Sequence, residues 1–431
     1  MINKEYKIRR DKLLRNIRDN SIAVIFSADE KLRNNDVAYK YRQSSNFFYL
    51  SGINNPSLVL ILMKKNNISS SILICNKPNK KDKIWTGQLP SKNSYKKNYL
   101  MDYVLYDGEQ TKMDLEKIDN LYFEFDSRAN VEKFISKMVN NEVSRYAKKN
   151  NNLSSEIDLT NLIFDMRRIK SKYEISQITN AAHISALAHI NLMKTCKSGM
   201  NEYEIEADFT KICLSHECDQ AYPAIVAAGK NGCILHYTKN KSKLRKNDLL
   251  LVDAAAEYNN YASDITRTIP ISGRFNKYQR IIYEIVLKAQ TMAIKSCKPG
   301  ITLIDIHKVA VKYITKGLIE AKILKGTINK NIKNQDYKKY FMHNTGHWLG
   351  LDVHDPCSYV SKNKPIKLKP GMIFTVEPGI YINSDCDINK NFHNIAVRIE
   401  DDVLITNTGH KVLTERVPKG VSEIEKLMLH G

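Results

Sequence analysis

Four acidic residues lie at or near apolar segments in the second half of the chain. Asp253 ends the run LLLVD and Glu377 ends the run MIFTVE, and each is followed by a second segment with a second acid, Asp264 and Glu400. Such runs are typical of buried strands, and an ionised carboxylate that is buried without a partner carries a large cost in free energy. We therefore expect each of these acids to face a cation.

A predicted hairpin connects the first two acids. The Asn-Asn dipeptide 259–260 suits a two-residue type I′ turn. In that register Asp253 faces Thr266, and Asp264 lies two residues away on the same face of the sheet. Two acids on one face repel each other unless a cation lies between them. For this pair alone, a metal ion and an Arg or Lys partner are both compatible with the sequence, and Arg267 is close by.

The second pair of acids favours metal ions. Four carboxylates at strand ends are difficult to neutralise with side chains alone, and His347 adds an imidazole nitrogen. Oxygen-rich sites with one imidazole suit Mn²⁺, Co²⁺ or Zn²⁺, and four carboxylates exceed the need of one ion. Two ions ~3.5–4 Å apart lower the pKa of a bridging water that attacks a carbonyl, which is hydrolase chemistry. Three further histidines near these acids are candidates for contacts with substrate: His236, His343 and His354.

A weak internal repeat surrounds these acids. One predicted helix ends in TCKSGMNEYEI and another ends in SCKPGITLIDI, and after each come a His-bearing segment, a strand that ends in an acid, and a second strand with a second acid. The repeat predicts two duplicated halves, each with one pair of carboxylates. Gly199 and Gly300 suit left-handed helix C-caps, and Ser171 and Glu174 form a capping-box pattern at the start of the first helix.

The part of the chain before the capping box alternates helix-like and strand-like stretches. A charged amphipathic opening precedes the apolar stretches IAVIF, FFYL, LVLILM and SILI. This pattern predicts an α/β domain with a mostly buried sheet. We place the boundary near residue 170, so that residues 1–170 form an N-terminal domain and residues 171–431 form the domain that carries the acids.

Composition limits the class of protein. Hydrophobic residues make up 42% and charged residues 26% of the 431 residues, which is typical of a soluble globular protein and excludes disorder as the main state. Every apolar run is far shorter than the ~20 residues of a membrane span, and the N-terminus MINKEYKIRRDK lacks the apolar region of a secretory signal. We therefore expect a cytoplasmic protein with no membrane span and no membrane partner.

The chain is strongly basic, with 67 Lys and Arg against 46 Asp and Glu, and thus a net charge of +21. Such a surplus can indicate a nucleic-acid or anionic-membrane partner. Here the excess is mostly Lys, spread along the chain beside Asn and Ile, without an Arg-rich stripe or interleaved aromatic residues. This distribution favours a solvated surface over contact with nucleic acid.

The motifs that contain the acids and histidines resemble those of one family. GCILHYTKN, LLLVDAAAEYNNYASDITRTIP, FMHNTGHWLGLDVHD, FTVEPGIYI and VRIEDDVLIT are similar, in order and spacing, to the signatures of the Xaa-Pro aminopeptidases (aminopeptidase P) in the pita-bread metallopeptidase superfamily. The likeness extends upstream to YKYRQSSNFFYLSGINNP and downstream to SEIEKLM. It implies an α/β (α+β) fold, in which an aminopeptidase P-type N-terminal domain precedes a pita-bread (creatinase/aminopeptidase-like) catalytic domain with pseudo-twofold duplicated halves.

The resemblance implies a dinuclear metal site. Five residues match the metal ligands of the family: Asp253, Asp264, His347, Glu377 and Glu400. Asp264 and Glu400 match the two ligands that bridge the ions, which are usually manganese in this family, and Co²⁺ or Zn²⁺ also suit the donor set. The implied reaction is hydrolysis of the N-terminal Xaa-Pro bond by a water or hydroxide that bridges the two ions. The implied substrates are peptides with proline at the second position.

The resemblance also implies roles for residues around the ions. His236 and His354 match histidines that contact the substrate and the tetrahedral intermediate, and so have catalytic as well as substrate-binding roles. His343 and Arg398 match residues that line the same pocket. Glu377 matches the glutamate proposed to carry a proton to the imino nitrogen of proline, which leaves poorly unless it is protonated.

Three positions depart from the pattern of the family. Asn344, Ala255 and Ala396 stand where glycine is common beside the ligands. Each additional Cβ would crowd the metal site unless a locally shifted backbone absorbs it. All five ligand types are intact, so the departures concern catalytic efficiency and not the identity of the ligands.

Two other functions are compatible with the sequence. A prolidase would cleave Xaa-Pro dipeptides with the same ligands, although the N-terminal segment YRQSSNFFYLSG favours the aminopeptidase. A catalytically silent pita-bread binding module would suit the positive charge, but the intact ligand set argues against it. The resemblance further implies a homo-oligomer, a dimer or tetramer, in which Trp85 of the N-terminal domain is a candidate contributor to the active-site entrance of a neighbouring subunit.

Overall fold

The computed structural model describes residues 2–78, 80–85, 87–109, 118–139 and 155–429. The chain divides into two compact units, Met1–Arg167 and Arg168–Gly431. Among the described residues, no helix combines the length and the apolar character that crossing a bilayer requires.

The described part of the first unit contains a six-stranded mixed sheet and a short hairpin. In chain order its strands are β1 (Ser21–Phe26), β2 (Leu32–Asn34), β3 (Val37–Ala38), β4 (Val59–Lys65), β5 (Ile68–Cys75), β6 (Tyr103–Tyr106), β7 (Asn120–Phe123) and β8 (Ser155–Asp158). The sheet order is β6-β5-β4-β1-β7-β8, and β4 is antiparallel to both of its neighbours while the other adjacent pairs are parallel. Nearly every residue of β1 and β7 is buried, as expected for the central strands of an α/β sheet.

The helices of the first unit include one apolar stretch for which the sequence pattern favours a strand. The described helices are α1 (Ile2–Asn16), α2 (Ser45–Ser51), α3 (Lys80–Trp85), α4 (Lys92–Tyr99), α5 (Arg128–Val139) and α6 (Thr160–Arg167). The FFYL stretch lies in α2, so the expectation of a strand there is wrong. All seven residues of α2 are buried. A short apolar run that is buried on every side does not show the periodicity that separates a helix from a strand.

The second unit contains two similar pairs of long helices. Its described helices are α7 (Lys172–Thr195), α8 (Glu202–Ser215), α9 (Lys277–Ser296), α10 (Leu303–Glu320), α11 (Ile328–Asn334) and α12 (Val421–Leu429). Helix α7 packs against α8, and α9 packs against α10. The predicted capping box at the start of α7 is confirmed, because the Ser171 hydroxyl accepts from the Glu174 N–H and the Glu174 carboxylate accepts from the Ser171 N–H.

The repeated glycines do not cap the long helices. The C-cap residues of α7 and α9 are Cys196 and Cys297, both with extended backbone, so the prediction of glycine C-caps is wrong in position. Gly199 and Gly300 have positive φ values of 98° and 91° in the loops that lead to the next helices. Their N–H groups donate to carbonyls far along the chain, at residues 244 and 368, each at 2.9 Å. The positive φ of each glycine therefore accompanies an equivalent long-range hydrogen bond in each half.

The strands of the second unit form several small sheets. They are β9 (Asp219–Gln220), β10 (Ile225–Ala228), β11 (Leu249–Asp253), β12 (Ala256–Tyr258), β13 (Tyr261–Ala262), β14 (Thr266–Pro270), β15 (Val360–Ser361), β16 (Lys364–Pro365), β17 (Ile373–Val376), β18 (Gly379–Ile382), β19 (Ile395–Arg398), β20 (Asp401–Ile405) and β21 (His410–Val412). The sheets are β10-β11-β14, β13-β12-β9, β17-β20-β21, β18-β19 and β15-β16. Strands of both halves, including β11 and β17, bury their apolar residues in one cluster with the long helices. The acids therefore lie at strand ends that a continuous core holds in place.

Candidate active site

The predicted hairpin between the first two acids is confirmed. Asn259 and Asn260 have positive φ values of 50° and 65°, as a type I′ turn requires. Strand β11 pairs with β14 so that Asp253 lies opposite Thr266. Asp264 lies just before β14. It is on the same side of the sheet as Asp253, as shown by the Tyr222 hydroxyl, which contacts both carboxylates.

The second pair of acids occupies the equivalent place in the other half. Strand β17 pairs with β20, and Val376 lies opposite Asp401. The next residues along the two strands, Glu377 and Glu400, therefore face each other where the pair ends. The Glu377 N–H donates to the carbonyl of Thr345 at 2.8 Å, which fixes the backbone of this acid beside the segment that carries His347.

The histidine and the acids of both halves meet. Asp264, His347 and Glu400 offer ligand atoms that all lie within 4.8 Å of one another. The Nε2 atom of His347 is 3.4 Å from Asp264 Oδ2 and 3.5 Å from Glu377 Oε1. Its Nδ1 lies 3.0 Å from the Trp348 carbonyl, so Nδ1–H donates there and Nε2 is directed at the acids.

Burial and the repulsion between carboxylates shift the pKa values of the residues in this cluster. Burial raises the pKa of Glu400 well above its usual range and raises the pKa values of Asp264 and Glu377, and the charges of neighbouring carboxylates raise all three further. Burial lowers the pKa of His347, but the hydrogen bond to Asp264 and the charge of Glu377 outweigh it, so this pKa is raised. The side chains of the cluster therefore supply too little positive charge for its carboxylates.

Arg398 is the cation that pairs with Asp253. Its Nη2 donates to Asp253 Oδ2 at 2.7 Å. Arg267, the candidate that lies close to the first pair of acids in the sequence, is not the partner of Asp253. It forms a buried ion pair with Asp401 at 2.7 Å. Successive residues of a strand point to opposite faces, so Arg267 points away from the face on which Thr266 and the acids lie.

A tyrosine that no sequence pattern singles out contacts both acids of the first half. The hydroxyl of Tyr222 donates to Asp253 Oδ1 at 2.7 Å and is in hydrogen-bond contact with Asp264 Oδ1. Burial and the charges of these two acids raise the pKa of Tyr222 well above its usual range, so the hydroxyl keeps its proton. Tyr222 lies in the loop before β10, where a single aromatic residue has no periodic or motif signal. The pairing of β10 with β11 brings it to the site.

A chain of hydrogen bonds connects His343 to Asp253. The Nδ1 of His343 lies 2.7 Å from the Asn344 carbonyl, and its Nε2 lies 2.8 Å from the Tyr381 hydroxyl. Burial and the charge of Arg398 lower the pKa of His343 to about 4, so the ring is neutral, with Nδ1–H donating and Nε2 accepting. The Tyr381 oxygen in turn accepts from Arg398 Nη1 at 2.9 Å.

The candidate residues surround one cavity of about 680 Å³, a volume suited to a peptide segment. The nine site residues predicted from the sequence all line it: Asp253, Asp264, His347, Glu377, Glu400, His236, His343, His354 and Arg398. His354 lies beside His347 with a centroid separation of 4.3 Å. Apolar side chains form another part of the wall: Leu235, Leu303, Ile304 and Ile306. The cavity thus combines a polar, acidic cluster with an apolar surface.

Comparisons with known proteins identify the family. Residues 6–120 match the N-terminal domain of aminopeptidase P, and residues 176–407 match metallopeptidase family M24. The Xaa-Pro aminopeptidase of Haemophilus influenzae is 38% identical over 98% of this chain and 97% of its own length. This chain belongs to the Xaa-Pro aminopeptidase family.

Solved structures of the family confirm the expected fold. Proline aminopeptidase P II from Yersinia pestis has a TM-score of 0.95 and 37% sequence identity, with 100% of both chains covered. Zinc-substituted Escherichia coli aminopeptidase P, solved with product, has a TM-score of 0.94 and 35% identity, with 99% of this chain and 98% of that chain covered. The α/β (α+β) architecture, with an aminopeptidase P-type N-terminal domain before a pita-bread domain, is therefore confirmed, and this family member is a metallopeptidase enzyme.

The donor set fits the divalent metal that the metallopeptidase family implies. Carboxylates outnumber the cations beside them, since the four acids have only Arg398 and a protonated His347 among the described side chains of the cavity wall as charge partners. Oxygen and imidazole donors converge in the group of three ligand residues. Hard and borderline divalent ions prefer such donors, and their charge would relieve the repulsion that raises the pKa values of the acids.

The departures from the family pattern cause no backbone strain. Asn344, Ala255 and Ala396 all lack the positive φ that would require glycine. Asn344 lines the cavity, whereas the buried Ala396 packs beside Tyr381 in a small apolar cluster. The backbone at each of these three positions therefore has a conformation that L-residues adopt freely.

Proposed function

We propose that this member of the Xaa-Pro aminopeptidase family hydrolyses the bond between the first residue of a peptide and a proline at the second position. One observation carries the proposal: acids from both duplicated halves and one imidazole converge in a peptide-sized cavity. The family relationship gives the reaction its substrate class, since the relative named above is a Xaa-Pro aminopeptidase at 38% identity.

The proposed metal ligands are the five residues that match the family. They are Asp253, Asp264, His347, Glu377 and Glu400, and they would hold two divalent ions, with Asp264 and Glu400 reaching both. Mn²⁺ is the proposed ion, and Co²⁺ or Zn²⁺ suit the same donors. Bound ions of this kind lower the pKa of water and stabilise a developing oxyanion. The contact of Asp264, His347 and Glu400 supports this assignment.

The protein's own groups hold and move protons around the ions. Glu377 is proposed to take a proton from the attacking water and pass it to the leaving imino nitrogen, which leaves poorly unless it is protonated. Arg398 orients Asp253 through the 2.7 Å ion pair. His236 and His354 are exposed on the cavity wall, where they are proposed to contact the substrate carbonyl. His343 is proposed to bind substrate as a neutral ring, which its lowered pKa supports.

The proposal also covers the domain boundaries, the cellular location and the oligomeric state of the protein. We propose that residues 1–170 are the aminopeptidase P-type N-terminal domain and that residues 171–431 are the catalytic domain. We also propose a cytoplasmic homo-oligomer, a dimer or tetramer. Trp85 is 78% exposed, and burial in a subunit interface would explain so large an apolar surface.

Initial rates on matched peptides test the substrate class. We expect release of the first residue from Arg-Pro-Pro, little cleavage of the dipeptide Arg-Pro, and none of Arg-Ala-Pro. Exclusive cleavage of the dipeptide would show a prolidase instead. Absence of turnover, together with nucleic-acid binding that persists near physiological salt, would show a binding module, because weak counterion-driven binding does not survive that salt concentration.

A further inference from the structure

A buried ion pair is attached to the loop that carries two site histidines. We call residues 347–357 the histidine loop. The Nζ atom of Lys170 lies 2.9 Å from Asp355 Oδ2, and both side chains are only 1% exposed. Lys170 comes directly before the N-cap of α7, 185 residues before Asp355 in the chain. Neither residue has a role in the reaction proposed above.

Asp355 closes the histidine loop. Its N–H donates to the Trp348 carbonyl at 2.9 Å, and its carbonyl accepts from the Cys357 N–H at 2.8 Å. Its carboxylate also packs against the loop itself, because a Cβ placed on Gly350 would lie 2.6 Å from Asp355 Oδ2. The position of Asp355 therefore sets the path of the loop on both sides of the adjacent His354.

Lys170 is fixed to the sheet that carries a proposed metal ligand. Its N–H donates to the Gly371 carbonyl at 2.8 Å, and the Gly371 N–H donates to the carbonyl of Ile405 at 2.9 Å. Ile405 ends β20, the strand that follows Glu400. The ion pair therefore connects this strand, through Lys170, to the residue next to His354.

His347 has separate supports, so the ion pair acts on the other end of the loop. The His347 carbonyl accepts from the Thr375 N–H at 2.9 Å, and its N–H donates to the Thr375 hydroxyl at 3.1 Å. Loss of the Lys170–Asp355 pair would leave these bonds intact while removing the contact that holds the side chain of Asp355, the neighbour of His354, against Lys170. A change at Lys170 should therefore affect His354 more than His347.

We infer that Lys170 is a positioning residue that acts through Asp355 on His354. Buried ion pairs are a poor source of net stability, because the cost of desolvating both charges offsets their attraction, so a role in geometry accounts better for this pair. The inference rests on the proposed function, in which His354 contacts the reacting substrate. A displacement of about 1 Å at such a group can reduce turnover by about a hundredfold.

Kinetics of three variants test the inference with the metal-loaded enzyme and Arg-Pro-Pro. For Lys170→Met we expect kcat to fall by about tenfold to a hundredfold with a change in KM below about threefold, because His354 is needed most at the tetrahedral stage. Lys170→Arg, which keeps the charge, should recover most of the lost kcat. Asp355→Asn, which keeps the shape, should lower kcat in the same way. Amide hydrogen exchange should be faster at Asp355 in Lys170→Met than in the wild type.

A core variant separates positioning from stability. Leu318 is buried in α10 and does not line the cavity, so Leu318→Ala should lower the thermal midpoint without lowering kcat of the folded enzyme. An unchanged kcat in folded Lys170→Met, an equal loss in Leu318→Ala, or failure of all variants at 170 and 355 to fold would overturn the inference. If the wild type itself does not cleave Arg-Pro-Pro, the proposed function fails, whereas unaltered exchange at Asp355 in Lys170→Met overturns the positioning role independently.

Discussion

Thr266 and Glu400 connect the two duplicated halves at the site. The Thr266 hydroxyl donates to Glu400 Oε2 at 2.6 Å, and the Glu400 N–H donates to the Thr266 carbonyl at 3.1 Å. The same hydroxyl accepts from Arg398 Nε at 3.0 Å. One threonine at the start of β14 thus fixes the backbone and the side chain of an acid from the other half, and it contacts the arginine that pairs with Asp253.

Thr266→Val tests the importance of this connection. Valine has a similar shape but no hydroxyl, so Glu400 loses a donor while its backbone hydrogen bond is retained. Loss of a partner of this kind typically costs tenfold to a hundredfold in metal affinity or activity, and we expect about that loss in Mn²⁺ affinity by titration calorimetry. Thr315→Val is the matched control, since Thr315 is buried and its hydroxyl has no hydrogen-bond partner among the described residues. Equal Mn²⁺ affinities in the two variants would contradict the account.

Tyr222→Phe tests the contact of one hydroxyl with two acids. The metal-free protein should lose about 1.5–3 kcal/mol of unfolding free energy, because the lost hydrogen bond is to charged groups. Tyr283→Phe is a suitable comparison, since the Tyr283 hydroxyl donates to the neutral Lys419 carbonyl at 2.8 Å. That variant should lose only about 0.5–1.5 kcal/mol. Urea titrations measure both values, and a loss in Tyr222→Phe no greater than that in Tyr283→Phe would be the contrary result.

The sequence alone is sufficient to predict the acids at strand ends and the register of the strand pair that carries Asp253. An acid at the end of a buried strand, as at Asp253, is a local signal, and the Asn-Asn turn sets the pairing with Thr266. The expectations about those residues rest on patterns within a few residues of each other. The same holds for the duplicated halves, whose order of helix, His and acids can be read along the chain.

The remaining features depend on contacts between distant parts of the chain. Arg398 is 145 residues from Asp253, and only the three-dimensional structure shows that it, and not the nearby Arg267, supplies the charge. The sequence pattern favours a strand for the stretch at Phe47, because a fully buried helix has no polar face from which its period can be read. Tyr222 lies in a loop, where side-chain direction depends on tertiary packing.

The buried cluster around Asp401 predicts a pH dependence of stability. Burial alone would raise the pKa of Asp401, but Arg267 and Lys419 outweigh it and lower the pKa to about 2. Because the folded-state pKa lies below the unfolded value, the resulting stability is fully present above pH ~4 and is lost as the pH falls through the folded value. The contribution is about 2 kcal/mol.

Asp401→Asn tests this dependence in the metal-free protein. Asparagine leaves Arg267 and Lys419 without their carboxylate, so we expect a lower free energy of unfolding at pH 7, by about 3–5 kcal/mol. Between pH 4 and pH 2 the stability of the variant should fall less steeply than that of the wild type. Urea titrations across this range give both quantities, and parallel pH profiles for the two proteins would show that Asp401 is not the titrating group.

The most direct test of the account is release of the first residue from Arg-Pro-Pro by metal-stripped protein, with and without Mn²⁺, beside the variant Glu377→Ala. We expect no activity without metal, activity on addition of Mn²⁺, and loss of that activity in the variant. Activity of the stripped protein that Mn²⁺ does not change, or full activity of Glu377→Ala, would contradict the assignment of the metal site and of the proton-transferring acid.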